Sequence, residues 1–395
     1  MHLSVRLINI NIYIFYIRNF NLVTAQDILD GLRPWVECES PTSDAEAVNK
    51  VMSLAEHDWK KIGFEVERIP GKDGFGDHLS IKTNWRSDSV KNEKGILILS
   101  HLDTVHPHGS FEQGCFLIDE DTVTGPGILD MKGGAYIAFI ALKLISQGKK
   151  KPKLPVHILF TSDEEVGSPT SRSLIEAAGN SAKYVLVTEP ARSDGKIVTS
   201  RRGVGRFKII TRGRAAHAGV SHFDGKSAIK EMAKQILVIE AMTDYERGLT
   251  LNVGKIKGGS ADNTVPDYCE ATIDLRVENS QIADEISNKL MSLKSLDLDI
   301  NVEVSGGINR PPFIRTKGGK DLFEHAKLLA SEIGFDLEGI HTGGGSDGSF
   351  LAKDVPTLDG LGVDGVGPHT LNEHMFVASL LPRMTLLKRL IETLN

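Results

Sequence analysis

Short unbroken apolar runs alternate with amphipathic stretches along most of the chain. GILILS at 95–100, VHILFTS at 156–162 and YVLVTEP at 184–190 have strand length and polar ends, which predicts central strands covered on both faces. Between the first two, DMKGGAYIAFIALKLISQG repeats its apolar residues at helical spacing, predicting a helix that Asp130 opens. Upstream, TAQDILDGLRPW and SDAEAVNKVMSLAEHDWKKIG predict two helices, the second closed by Gly63, followed by strands at 65–69 and 78–83. Such a succession implies an α/β fold with a mostly parallel sheet, whose ligand crevice lies beyond the carboxyl ends of the strands.

The texture changes near residue 200. GRFKIITRG, SAIKEMAKQILVIEAM, LTLNVGKIKGG, CEATIDLRV, SQIADEISNKLMSL and LDINVEVSG read strand, helix, strand, strand, helix, strand, the order of a ferredoxin-like α+β unit. After Arg310 the first texture resumes, with helices at 320–333 and 377–393. The expected organisation is one domain made of 24–199 and 310–395, with 200–309 inserted into it. Residues 1–23 are rich in Ile, Tyr and Phe but broken by Asn and Arg18, too short and polar a stretch to span a bilayer. A poorly ordered extension is the first reading and a signal peptide the second.

Charge and cysteine content narrow the function classes. A formal charge of -6 and a pI near 6.1 argue against a nucleic-acid backbone as partner, and the basic run GKKKPK at 148–153 reads as a solvated loop. Three dispersed cysteines without a CxxC, and no Asn-x-Ser/Thr sequon, fit the cytoplasm.

The three predicted strands end in acids and imidazole: His101 and Asp103, then Asp163, Glu164 and Glu165, then Glu189. Buried carboxylates cost several kcal/mol unless paired, protonated or bound to metal, and few Lys or Arg are interleaved with these. A divalent metal satisfies them, and oxygen and imidazole donors without thiolate suit zinc, with cobalt or manganese as substitutes. Strand alternation puts His101 and Asp103 on one face, so His101 can ligate while Asp103 orients its ring. Asp130 reads either as a helix N-cap or as a carboxylate bridging two metals. SDEEVGS is either an exposed acidic turn or a ligand beside a general base. Glu189 is either a ligand or a plain strand-end acid.

HLDT, GPGxxDMKGG, DEEVGS, TEP, GRAAHAG, ADNTVP and GPHTLNE, in this order, resemble the co-catalytic zinc peptidases, the family of glutamate carboxypeptidase, acetylornithine deacetylase, succinyl-diaminopimelate desuccinylase and aminoacylase. The resemblance runs from about residue 24 to the C-terminus. It implies two zinc ions, with His101 and Glu189 on one, Glu165 and His369 on the other, and Asp130 shared. It makes Glu164 the general base and Asp103 the orienter of His101. The inserted unit then resembles the family's lid, which also forms the homodimer, and His217 matches a histidine that reaches the neighbouring subunit's site. Asn263, Arg276 and Arg310 match substrate-binding positions, Arg310 that of the glutamate-releasing branch; Arg276 reads otherwise as a paired residue on the sheet surface. GPG at 125–127, where many deacylases carry GRG, points to the carboxypeptidase branch, whereas SRRG at 200–203 resembles neither closely.

His106 and His108 are expected to be loop residues at the rim, and His374 to begin the last helix. The expected reaction is hydrolysis of an amide bond next to a free carboxylate, releasing a C-terminal amino acid from a small peptide; the alternative is deacylation of an N-acyl amino acid. Two remoter readings are a serine hydrolase, with Ser346 in GGSDG followed by Asp364 and His369, and a non-catalytic peptide-binding scaffold.

Overall fold

A computed structural model describes residues 23–83, 85 and 94–395. The expectations for the extension before Val23 lie outside the described residues.

The apolar runs form the middle of a six-stranded sheet. Gly95–His101 is flanked by Val156–Thr161 and Ala182–Val187, both parallel to it. Thr357–Leu358 continues the parallel part at one edge, and His78–Lys82 and Glu65–Ile69 add antiparallel strands at the other. Alternation along Gly95–His101 sends Ile96 and Ile98 into the larger core and Leu97 and Leu99 into the smaller one behind the sheet. Each face is thereby covered, which accounts for the unbroken apolar sequence.

Helices Ala25–Glu37, Ala45–Lys61, Gly133–Gln147 and Leu380–Thr393 contribute to the larger core, and Arg172–Gly179 packs into the smaller one through Ile175. Trp59 is fully buried in the larger core, stacked on Phe64 at 5.4 Å and edge-on to Phe139 at 5.1 Å. Trp59→Ala is expected to cost about 3–5 kcal/mol, the usual penalty for an emptied aromatic site, read as a lowered urea midpoint.

The chain leaves Gly95–His101 towards a helix on one face and leaves the adjacent Val156–Thr161 towards a helix on the other. Connections that diverge in this way open a crevice at the strand ends. A second sheet closes its side: His374–Phe376 pairs with Thr122–Thr124, holding the segment that contains His369 beside the one that leads to Asp130. His374 therefore belongs to a short strand, and the last helix begins at Leu380.

The inserted segment builds a separate antiparallel sheet. Its strands Gly203–Arg212, Thr250–Gly258, Tyr268–Val277 and Asn301–Arg310 lie in the order second, third, first, fourth, the ferredoxin-like arrangement, with helices Ala228–Glu240 and Ser280–Met291 packed into its core. The segments running into and out of this unit are joined to each other: Arg201 and Phe313 exchange backbone hydrogen bonds of 2.9 and 3.0 Å.

Candidate metal centre

Three parallel strands ending at one level deliver His101, the Asp163–Glu165 turn and Glu189 to a common point. The fourth contributor, Asp130, arrives differently. Residues 128–132 form a kinked turn, Asp130 itself is extended (φ -118°, ψ 92°), and the regular helix begins three residues later. The helix-cap reading of Asp130 is thus corrected, because its side chain caps nothing. Gly134 explains why the helix can start there: a Cβ at that position would lie 2.0 Å from the Thr188 carbonyl oxygen, so only glycine permits the approach to the strand end that bears Glu189.

The two oxygens of Asp130 face different histidines. Oδ1 lies 3.2 Å from His101 Nε2, and Oδ2 lies 3.3 Å from His369 Nε2. Glu189 Oε1 stands 3.7 Å from the first histidine and Glu165 Oε2 3.2 Å from the second. His369 sits in the turn Gly367–Thr370, closed by a Thr370 N–H bond to the Gly367 carbonyl. Proline precedes it and its φ is +65°, the pattern of a type II turn, which aims the ring inward. His101 is buried, whereas the His369 side chain is 54% exposed, so the cluster opens to solvent on that side.

Burial and mutual repulsion shift the groups strongly. Burial pushes the Glu165 carboxyl up to about 8 and raises Glu164 and Glu189, the last well above its ordinary value. Burial also opposes ionisation of Asp130, but hydrogen bonds from both histidines overcome it and hold that carboxyl low. The Asp130 and Glu165 contacts carry His369 up to about 11. Neither Asp130, Glu165 nor Glu189 has a Lys or Arg ion-pair partner among the described residues, and Glu165 Oε1 is buried without a hydrogen bond. This donor set fits divalent cations. The donor atoms of His101, Asp130 and Glu165, and those of His101, Glu164 and Glu189, each fall within 4.8 Å of one another.

The surrounding residues divide by task. Asp103 bonds His101 Nδ1 through its backbone carbonyl at 2.9 Å, with its carboxylate at 3.5 Å. That carboxylate accepts from Thr42 Oγ1 and from the Glu164 and Glu165 amides, so it also seats the acidic turn. Asp163 accepts from both the amides and the hydroxyls of Thr170 and Ser171, closing the loop rather than facing the cluster. Arg310 is buried, 2.7 Å from Glu164 Oε1 and 2.8 Å from Asp347 Oδ1. Arg276 forks onto Asp274, its surface-paired alternative, and donates to the Gly343 carbonyl. His217 and Asn263 are exposed together on the inserted unit, where Ala218 N–H donates to the Asn263 carbonyl, and among the described residues the His217 ring bonds only its own turn.

His106 is buried against Glu373 instead of lying at the rim, a pairing 267 residues apart in sequence that no local pattern announces. His108 is exposed between Glu39 and Asp44. Ser346 donates to Asp359, which also holds Arg201, while His369 faces Asp130 and Glu165; the serine-hydrolase constellation does not assemble.

Residues 97–393 match Peptidase family M20/M25/M40. Carboxypeptidase G2 of Pseudomonas sp. (strain RS-16) is 30% identical over 378 residues, covering 93% of this chain and 89% of that protein. Among solved structures, the M20 family metallo-carboxypeptidase Sso-CP2 of Sulfolobus solfataricus superposes with a TM-score of 0.76 at 16% identity, covering 93% of this chain and 98% of the other. Aminopeptidase PepT of Bacillus cereus gives 0.74 at 23% identity, with 94% and 98% covered. The strand-end cluster and these likenesses agree: the chain belongs to the M20/M25/M40 peptidase family, and is a metal-dependent peptidase.

Proposed function

We propose that this protein is a carboxypeptidase that hydrolyses the amide bond next to a free carboxylate in a small peptide or folate-like conjugate, releasing a C-terminal amino acid of the glutamate type. The observation that carries the reading is Asp130, whose two oxygens are divided between His101 and His369. Its likeness to carboxypeptidase G2 supports the carboxypeptidase branch.

In this reading His101 and Glu189 would hold one zinc ion and Glu165 and His369 a second, with Asp130 available to both, and Co2+ or Mn2+ would substitute. When bound, such a pair acts as a Lewis acid towards the scissile carbonyl and lowers the pKa of water. Glu164 takes the proton of the attacking water and delivers it to the leaving amine. Its position beside Arg310 favours the ionised form that burial disfavours. Asp103 fixes the His101 ring and the acidic turn. Arg276 and Arg310, with Asn263, are the groups assigned to the substrate carboxylate, for which a planar guanidinium fork is suited; before substrate binds, Arg276 is forked onto Asp274 and Arg310 is paired with Glu164 and Asp347. His217 serves the site of a second chain in a homodimer formed by the inserted unit, donating to the developing oxyanion. Its exposure, and that of Phe223 and Leu237 on the same unit, supports that arrangement.

The test is a panel of N-acylated glutamates, dipeptides and acetyl or succinyl amino acids, assayed before and after chelation. Turnover of the C-terminal glutamate substrates, abolished by chelator and restored by zinc, is the expected result. Turnover confined to the acetyl or succinyl amino acids assigns the protein to the deacylases instead.

Metal uptake should depend on pH in a defined direction. Below about 8 Glu165 keeps its proton in the metal-free protein, and His369 keeps one up to about 11. Both bind metal only when deprotonated, so affinity rises with pH and uptake at neutral pH releases protons. Calorimetry in buffers of different ionisation enthalpy checks this, and a release of zero contradicts it.

A further inference from the structure

We propose that the buried His106–Glu373 pair is a positioning device that fixes the Asp130 carboxylate between His101 and His369. The inference rests on the metal-centre reading above and adds two residues to it.

Glu373 reaches the Asp130 turn twice. Its side chain, 1% exposed, accepts from the Leu129 amide at 2.8 Å and the Asp130 amide at 2.9 Å through Oε1. Its backbone carbonyl accepts from Gly125 N–H at 3.3 Å. The remaining carboxylate oxygen lies 2.5 Å from His106 Nε2, and the His106 ring is held edge-on to Phe111 with centroids 5.0 Å apart. Asp130 is not in a regular helix, so its amide has no helical partner to orient it, and Glu373 supplies that partner. A buried carboxylate needs its hydrogen bonds, and losing one strands the group without a partner. The His106 bond therefore restrains Glu373, and Glu373 restrains Asp130.

The chain positions make the pair more than a local brace. His106 lies in the connection that follows His101, Glu373 lies four residues beyond His369, and the amides belong to the Asp130 turn. Three segments remote in sequence, each bringing one of the residues that meet at Asp130, are thus tied to a single carboxylate. Partners of this kind, one bond removed from a ligand, set ligand direction and with it metal affinity.

The experiment compares full-length wild type with His106→Phe, His106→Gln, Glu373→Ala and the double variant His106→Phe/Glu373→Ala. Zn2+ and Co2+ affinity is measured by chelator competition, the visible absorption of the Co2+-loaded protein is recorded, and kcat and KM are measured separately. Phe fills the space beside Phe111 without a polar atom, whereas Gln keeps a donor. His106→Phe and Glu373→Ala are expected to weaken metal binding about 10- to 100-fold, change the cobalt spectrum and lower kcat more than KM rises. His106→Gln should recover most of the affinity, and the double variant should be no weaker than the worse single one, as for residues acting in series. Circular dichroism of the metal-free proteins verifies folding; if Glu373→Ala does not fold, His106→Phe against His106→Gln decides alone. Wild-type affinity and an unchanged cobalt spectrum in folded His106→Phe overturn the proposal. A wild-type protein that takes up no metal overturns the metal centre itself, a different result seen before any variant is made.

Discussion

Glu164→Gln should lower kcat by about 10²- to 10⁴-fold, the range supplied by a positioned general base, while leaving metal content and KM near wild type. The substitution keeps shape and an oxygen for the Arg310 guanidinium, now 2.7 Å from Oε1, so the acidic turn is not released. It removes the ability to accept a proton and, with it, the charge that faces Arg310. Burial raises this carboxyl and the Arg310 guanidinium opposes the rise. Steady-state kinetics with metal analysis on the same preparation gives the answer. Full activity would exclude the base role. Loss of metal would instead make Glu164 a ligand, a role its closeness to His101 and Glu189 also allows.

Asp130→Ala should act on the metal before it acts on the reaction. Each histidine loses one of its carboxylate partners at once, since the 3.2 and 3.3 Å contacts belong to two oxygens of one side chain. If two cations share this group, both are expected to fall well below one per chain by elemental analysis. Losing the several kcal/mol that a metal site contributes to the barrier means about a 10³-fold or greater fall in kcat/KM. Asp130→Asn separates sharing from simple ligation: an amide offers one oxygen, so it should retain one cation and not the other. Retention of both by Asp130→Ala would show that the carboxylate does not join them.

The elements that sequence reveals best here are those whose burial is set by their own composition. The runs at 95–100 and 156–162 lie in strands because both faces are covered, and the order of the inserted unit follows from alternating periodicities that its two layers impose. Strand-end acids are visible for the same reason: polar residues directly after such a run lie at the mouth of the crevice, although Asp163 closes its own loop instead of facing the cluster. What tertiary contact decides was not visible. The helix expected from Asp130 starts at Gly133 because the turn before it is held from outside, by Glu373, a residue present in HTLNE but without an evident task. Asp163 and Glu164 look interchangeable in sequence, yet one is bonded to Thr170 and Ser171 and the other to Arg310, partners 7 to 146 residues away. His106 and His108 differ by the same logic: one meets a buried acid, the other water and two surface acids.

The reciprocal bonds between Arg201 and Phe313 place the two ends of the inserted segment side by side. None of the six strands of the large sheet comes from between them. Evolution can therefore exchange, enlarge or trim what lies between without re-registering the scaffold, so long as adjacent ends are preserved. Arg310 sets the limit of that freedom. It belongs to the exchangeable piece but pairs with Glu164, so a transplanted insert must bring its own cation to the same place or leave the acid beside the cleft unbalanced.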